Sequence, residues 1–352
     1  MPSTTHSISR PRPPGEPVFN VAVVGVTGAV GSMMLRVLEE RGFPVSELHP
    51  LASARSEGRT VEYLGKPFTV RTLTKDSFAG VDIALFSAGG QRSREFAPAA
   101  VEAGAVVIDN SSAFRMAPNV PLVVPEVNEA AIQAHEGIIA NPNCVAAPLV
   151  VVLKPLADAV GLERVIISSY QAVSGTGAGG IAELRRETEG YLTGDEPEPQ
   201  VYPYPIAFNV LPHIDTFDET GYTGEERKVI AETQKLLGLP DLPVSATCVR
   251  VPVFNGHSVS IQIETTEPLD ANAARGLLMG APGLILLDEP AQAIYPLPRL
   301  ASGRDEVLVG RIRNDLSHPR GLALWLSSDN LRKGAATNAV QIAESLVTRG
   351  WL

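Results

Sequence analysis

Residues 18–26, VFNVAVVGV, form a near-continuous apolar run that breaks into Gly25-Val26-Thr27-Gly28-Ala29-Val30-Gly31 and then into SMMLRVLEERGFP, whose apolar residues recur at helical spacing. An unalternated run of this kind suits a parallel strand buried on both faces. A strand that feeds a helix through a Gly-rich turn opens a βαβ unit, which commits the chain to right-handed crossovers and a doubly wound sheet. Gly42 suits the C-terminal cap of that first helix. The pattern repeats: 47–53, 81–90, 105–112 and 137–143 read as further strands, and 91–104 as a crossover helix. The expected first domain, 18–143, is therefore an α/β Rossmann-like nucleotide-binding domain.

Beyond residue 143 the texture changes. ERVIISSYQAVSGTG, ATCVRVPVFNGHSVSIQIETTE, DEVLVGRIRND and GLALWLSSDN are longer and more alternating, and helical stretches such as EERKVIAETQKLLG separate them. Residues 144–328 are expected to form an α+β domain on a mixed, largely antiparallel sheet with helices on one face. DEPEPQVYPYP, 195–205, reads as an exposed loop. The tail, 329–352, reads as a final helix that returns to the first domain. A chain of 352 residues supports this two-domain division, since single cores stop growing below that size.

Bulk charge narrows the partners. With 29 basic against 39 acidic residues and a net charge of −10, no broad cationic surface exists for nucleic acid or anionic lipid. No apolar run is long enough to span a bilayer. Only two cysteines argue against a disulfide framework and for a reducing, cytoplasmic setting. The opening 17 residues are polar and Pro-rich, without the apolar stretch of a secretory signal, and read as a disordered lead-in.

The chemistry-bearing residues fall at the element junctions. Gly25 to Gly31, directly after the first strand, fits a loop whose glycines allow a tight turn and whose helix N-terminus receives a dinucleotide pyrophosphate. At the end of the second strand, where an acid would hold a free ribose 2′-hydroxyl, the chain has Ser53-Ala54-Arg55-Ser56 and its first acid only at Glu57. That composition favours NADP over NAD. Cys144 ends GIIANPNC, where Pro142 stops a strand-like run and a helix-like run begins. Backbone N–H groups and the helix dipole at such a junction favour the nucleophilic thiolate, although a small inert core residue would also fit. His257, in the turn RVPVFNGHS between two strands, is the histidine best placed as its general acid/base. Arg115 follows Asn110-Ser-Ser-Ala-Phe at the sheet edge where open α/β folds bind ligands. Glu225 and Lys228 share a helical face at i, i+3. Each of these three, taken alone, is more readily explained as part of a solvent-facing ion pair.

Together GVTGAVG, SARS, DNSSAFRM, PLVVPEVN, NPNC, QAVSGTG, EERK, CVRVPVFNGHS and DNLRKGAA run in one order from about residue 20 to the C-terminus, and in that order the chain resembles the aspartate-β-semialdehyde dehydrogenase family. The resemblance implies an NADP-linked, phosphorylating aldehyde dehydrogenase that reduces L-4-aspartyl phosphate to L-aspartate 4-semialdehyde and releases phosphate, feeding lysine, threonine, methionine and diaminopimelate synthesis. It implies Cys144 as the nucleophile that forms an acyl thioester, His257 as the acid/base, and Gln171 as the group orienting the acyl intermediate. Arg250 would fork the substrate α-carboxylate and Glu225 meet its amino group. Arg115 and Lys228, with Asn110 helping, would hold phosphate. Gly25, Thr27, Gly28, Ala29, Val30, Arg55, Ser56, Ser174, Gly175 and Asn330 match positions that touch NADP. The second domain would join subunits into a homodimer or homotetramer. Oxyanion donors are expected from backbone N–H groups at the helix start or from Asn143. The sequence departs from the family's usual pattern at Ala117-Pro118 and at Thr176. N-acetyl-γ-glutamyl-phosphate reductase, whose cysteine usually sits in a Gly-Cys-Tyr-Pro context, and a non-catalytic NADP-binding regulator are the competing readings.

Overall fold

The computed structural model describes residues 17–195 and 197–352, so the expected lead-in falls, all but Pro17, outside the described residues. The chain forms two compact units. The first runs from residue 17 to Pro121 and takes in Ala131–Asn141 and Ala339–Leu352; the second holds Leu122–Ala130 and Pro142–Asn338.

In the first unit, strands β1 (Phe19–Val24), β2 (Val45–Ala52), β5 (Arg71–Thr72), β6 (Ile83–Phe86), β7 (Val106–Asp109) and β8 (Ile138–Ala140) form one sheet in the order β5-β2-β1-β6-β7-β8. Every pairing in it is parallel. The apolar runs are the strands, and Val21 to Val24 are fully buried, as a sheet covered on both faces demands. Helix α1 (Ala29–Glu40) turns Gly31, Met34, Leu35, Val37 and Leu38 inward, and α2 (Gly90–Glu102) supplies the crossover between β6 and β7. Between β2 and β5 lies a small hairpin that the apolar pattern does not announce, β3 (Thr60–Tyr63) and β4 (Lys66–Thr69). Its turn takes Leu64 and Gly65 at φ 50° and 69°, the positive pair of a type I′ connection.

The second unit is built on β9 (Leu162–Gln171), β10 (Val244–Arg250), β11 (His257–Thr265), β12 (Leu284–Leu286), β13 (Val307–Asn314) and β14 (Gly321–Ser328), in the order β10-β9-β11-β14-β13-β12. The three inner pairings are antiparallel and the two edge pairings parallel. The fold class is the one expected: a parallel Rossmann-like sheet followed by a mixed one. Around the second sheet lie α4 (Ala146–Val160), α5 (Ala178–Thr193), α6 (Gly224–Leu237) and α7 (Ala271–Leu278), with single turns α3 (Pro125–Asn128) and α8 (Pro298–Ala301). Helix α4 is buried over nearly all its first three turns, which explains its unbroken apolar sequence. Helix α6 starts on a capping box between Thr223 and Glu226.

The tail differs from the single helix expected. Asp329 Oδ1 accepts the N–H groups of Leu331 and Arg332 at 2.9 and 3.2 Å, a π-helical turn follows at Arg332–Ala336, and only then does α9 (Thr337–Arg349) run. Within the first unit, Arg41 grips Glu344 of α9 at 2.7 Å and His135 Nε2 meets the Trp351 carbonyl at 2.9 Å. No helix among the described residues is long and apolar enough to cross a membrane.

Candidate active site

The Gly-rich loop is shaped by two close approaches. Gly25 stands at φ 85°, and a Cβ there would lie 2.4 Å from the Ser87 carbonyl oxygen; a Cβ on Gly31 would lie 2.2 Å from the Gly25 oxygen. No side chain fits at either place, so the backbone can turn and α1 can sit tightly on β1. Gly28 is the N-terminal cap of α1, with no side-chain oxygen capping its first turn. Amides are thus left for an anion at this helix start, and a dinucleotide pyrophosphate fits them. Thr27 Oγ1 lies 3.3 Å from Ser56 Oγ, which brings the loop and the turn after β2 together. On that turn Ser56 is buried and Arg55 exposed. The nearby acid, Glu57, accepts a hydrogen bond from Thr72 at 2.8 Å. The turn therefore offers a guanidinium and a hydroxyl, the donors that suit a 2′-phosphate.

After β7, Asp109 is fully buried and accepts from Ser93 Oγ (2.7 Å), Ser111 N (3.1 Å) and Ser111 Oγ (2.7 Å). Those bonds fold the loop so that Arg115 reaches back: its Nε donates to the Asn141 carbonyl at 2.9 Å and its Nη2 to the Asn110 carbonyl at 2.8 Å. Asn141 Nδ2 donates to Asn110 Oδ1 at 2.5 Å. Arg115 is therefore not the solvent-facing residue that its composition alone allowed.

The second unit holds the thiol. Cys144 lies two residues before α4, and its Sγ is 3.4 Å from His257 Nε2. The strand that starts at His257 places the ring, and Ala172 N donates to its Nδ1 at 3.0 Å. Burial, and after it the Arg250 charge, hold the ring well below the ordinary imidazole range. Arg250 ends β10 and donates from Nη1 to the Ala172 carbonyl at 2.7 Å, while its Nε is buried with no hydrogen-bond partner among the described atoms. A buried guanidinium N–H left without an acceptor costs free energy, so this one is suited to a ligand carboxylate. Gly175 keeps the space beside both groups open, because a Cβ there would stand 3.0 Å from Arg250 Nη1 and 3.4 Å from His257 Nε2.

Glu225 of α6 gathers the remaining polar groups. It accepts from Asn143 Nδ2 at 2.9 Å and Gln171 Nε2 at 3.1 Å, and it pairs with Lys228 at 3.0 Å. Burial pushes its carboxyl up, but the Lys228 charge and the bonds from Asn143, Lys228 and Gln171 outweigh it and leave the group below the usual range. Lys228 also pairs with Asp215 at 2.9 Å. Burial alone would lower its ammonium, yet the two carboxylates carry it upward. The i, i+3 spacing thus marks a pair whose carboxylate is buried and whose ammonium is partly exposed. Ser174 Oγ and Asn330 are bonded to each other at 2.9 Å, and Asn330 Oδ1 accepts from Gly256 N at 3.0 Å.

Three of the expected oxyanion donors, the Asn143 amide and the N–H groups of Val145 and Ala146, already have partners. Asn143 Oδ1 caps α4 by accepting from Val145 N at 2.8 Å and Ala146 N at 3.3 Å, and its Nδ2 is held by Glu225. Sequence reasoning also passed over Glu232, which accepts the Asn143 backbone N–H at 2.6 Å. Its place seven residues beyond Glu225 on α6, two turns along the same face, was the available signal. Gly334 was missed as well: a Cβ there would lie 3.0 Å from the Cys144 carbonyl oxygen and 3.1 Å from its Cβ. The π-helical turn thus packs directly on the backbone that carries the thiol.

A Rossmann-like unit followed by a mixed-sheet unit with a part-buried thiol–imidazole contact defines a nucleotide-dependent oxidoreductase. Residues 20–135 match the family described as semialdehyde dehydrogenase, NAD binding domain, and residues 153–333 match semialdehyde dehydrogenase, dimerisation domain. The aspartate-semialdehyde dehydrogenase of Aquifex aeolicus is 55% identical over 94% of this chain and 99% of its own length; that of Bacillus subtilis is 52% identical over 93% and 97%. Among solved structures, aspartate semialdehyde dehydrogenase II of Vibrio cholerae, complexed with ASA, superposes with a TM-score of 0.92 at 50% identity, covering 95% of this chain and 99% of that one. The Candida albicans enzyme with NADP gives 0.75 at 26% identity, covering 96% and 100%. The chain belongs to the aspartate-semialdehyde dehydrogenase family.

Proposed function

We propose that this protein is an NADP-dependent, phosphorylating aspartate-semialdehyde dehydrogenase that reduces L-4-aspartyl phosphate to L-aspartate 4-semialdehyde through a thioester on Cys144. The observation that carries this reading is the 3.4 Å approach of Cys144 Sγ to His257 Nε2 in a chain of this family. A thiolate attacking an acyl phosphate divides one difficult transfer into two easier ones. The bound dinucleotide supplies the hydride that reduces the thioester. Around the thiol, Arg250 clamps the substrate carboxylate and Glu225 meets the amino group. Gln171 orients the acyl carbon, and His257 serves as the acid/base beside the thiol. Arg115, Lys228 and Asn110 are assigned to phosphate. Gly25, Thr27, Gly28, Ala29 and Val30, with Arg55 and Ser56 from the turn after β2, are assigned to the dinucleotide, as are Ser174, Gly175 and Asn330. Arg55 and Ser56 carry the preference for NADP. We place the enzyme in the cytoplasm as a homodimer or homotetramer joined through the second unit, serving lysine, threonine, methionine and diaminopimelate synthesis.

The test is NADPH formation from L-aspartate 4-semialdehyde and NADP with and without inorganic phosphate. Phosphate-dependent turnover is expected. Turnover of N-acetylglutamate semialdehyde in its place, or NADP binding without any turnover, would overturn the reading.

Arg250→Lys is expected to raise the KM for the semialdehyde by about ten- to a hundred-fold and to change kcat less, because an ammonium cannot reproduce the planar fork. Steady-state kinetics over a range of semialdehyde concentrations would measure it, and an unchanged KM would remove Arg250 from the carboxylate site.

A further inference from the structure

We propose that Asp329 is a positioning residue for the dinucleotide, fixing through one carboxylate oxygen the direction of a hydrogen-bond chain that runs through Asn255 to Ser174 and Asn330. This role rests on the assignment of Ser174 and Asn330 to the dinucleotide made above. Asp329 is buried directly after β14, and its two oxygens serve different ends. Oδ1 accepts the Leu331 and Arg332 N–H groups and so opens the turn that follows. Oδ2 accepts Gly303 N at 2.8 Å, just past α8, and Asn255 Nδ2 at 2.9 Å, in the turn before β11.

The chain has one sense. A carboxylate only accepts, so the atom of Asn255 that meets Oδ2 is the amide nitrogen. That nitrogen gives its other hydrogen to Ser302 Oγ at 2.8 Å, and Asn255 Oδ1 is left facing Ser174 Oγ at 3.0 Å. An amide oxygen cannot donate, so the Ser174 hydroxyl spends its single hydrogen there. Ser174 Oγ then meets Asn330 as an acceptor and takes a hydrogen from Nδ2 at 2.9 Å, which turns Asn330 Oδ1 to the Gly256 N–H at 3.0 Å. Ser174 Oγ also stands 3.1 Å from Asn330 Oδ1; sharing its hydrogen with that atom leaves the sense unchanged, because both acceptors are amide oxygens. The two ends of the chain thus allow no choice of role: a carboxylate that accepts and a backbone N–H that donates.

Ser174, Asp329 and Asn330 are all buried, so a reversed link would leave a polar group without a partner and without water to replace it. The direction therefore decides what the site presents. Ser174 has given away its hydrogen and can only accept from a ligand, while Asn330 Nδ2 keeps one hydrogen to donate. Ser174 precedes Gly175, whose position beside Arg250 and His257 puts this acceptor and donor next to the reacting groups. Asp329 needs no contact with the dinucleotide for this. It holds Asn255 in one amide orientation, and Asn255 holds the Ser174 hydrogen.

The test separates the two oxygens. Asn255→Ala cuts the link from Oδ2 to Ser174 and leaves Oδ1 and its turn alone. NADPH binding to the full-length variant, followed by nucleotide fluorescence without substrate, is expected to weaken by about tenfold, the scale of one buried hydrogen bond lost. Asp329→Asn should weaken it at least as much, and where that variant does not fold Asn255→Ala still reads the Oδ2 link. Ser302→Ala removes the other partner of Asn255 without touching the chain and should leave binding within about twofold of wild type. The decisive comparison is a double-mutant cycle: if Asp329 and Asn255 act through Ser174, Asn255→Ala made on top of Ser174→Ala should cost less than about twofold more, because the two share one link. Additive losses, an equal loss in Ser302→Ala, or unchanged NADPH affinity in Asn255→Ala would each overturn the proposal. Binding is read without substrate, so its outcome is distinct from that of the wild-type phosphate-dependent assay.

Discussion

Cys144→Ala is expected to reduce phosphate-dependent turnover by about 10⁴-fold or more, the scale seen when a covalent nucleophile is removed, while NADP binding and thermal stability stay close to wild type. The change deletes only Sγ. Asn143 continues to cap α4, Glu232 continues to hold the Asn143 N–H, and the Gly334 turn still meets a Cβ at residue 144. No other thiol can take over. Cys248 lies on β10 with none of its surface exposed, and burial, against a hydrogen bond with Ser169, pushes its thiol up to about 12. It is therefore protonated and unreactive at neutral pH. Alkylation of native enzyme should label one site rapidly, Cys144, and the variant should show no rapid labelling. Turnover in the variant within about tenfold of wild type, or rapid labelling of Cys248, would sink the thioester route.

The parts of this protein that were legible in sequence are those where one residue type answers one physical demand. The apolar runs of β1, β6 and β7 could only be buried strands, and Gly25 and Gly31 stand where any Cβ would strike backbone. The junction at Asn141-Pro142-Asn143 placed Cys144 before a helix, and the structure brings His257 to it from a separate strand. What escaped depends on contacts that no local pattern encodes. Asn143 reads as a turn residue, yet its side chain serves both α4 and Glu225. Glu232 reads as an ordinary helix acid, and only tertiary packing sets it against the Asn143 N–H. The donor that meets His257 Nδ1 is the amide of Ala172, a residue distant in sequence. The β3–β4 hairpin escaped for another reason: its strands span four residues each, too short for alternation to stand out.

Lys333→Ala is expected to destabilise the protein by about 3–5 kcal/mol, the usual cost of removing one partner from a buried ion pair. Lys333 lies in the π-helical turn after β14 and is fully buried. Its Nζ donates to Glu126 Oε2 at 2.5 Å and to Asn338 Oδ1 at 2.9 Å. Asn338 in turn donates to the Val123 carbonyl at 2.8 Å, so one ammonium orders both the turn and the segment around α3. Alanine would strip the countercharge from Glu126, whose carboxylate is almost out of water. The pair alone need not be favourable, since the desolvation of both charges opposes their attraction. Replacing both residues together, Lys333→Met with Glu126→Leu, should therefore recover most of the loss. Because Gly334 packs on the Cys144 backbone, Lys333→Ala should also lower kcat at temperatures where the protein remains folded. Thermal unfolding followed by circular dichroism, with kinetics measured below the transition, would separate the two effects. Stability of Lys333→Ala within about 1 kcal/mol of wild type would show that the turn is held by its packing rather than by the buried charge.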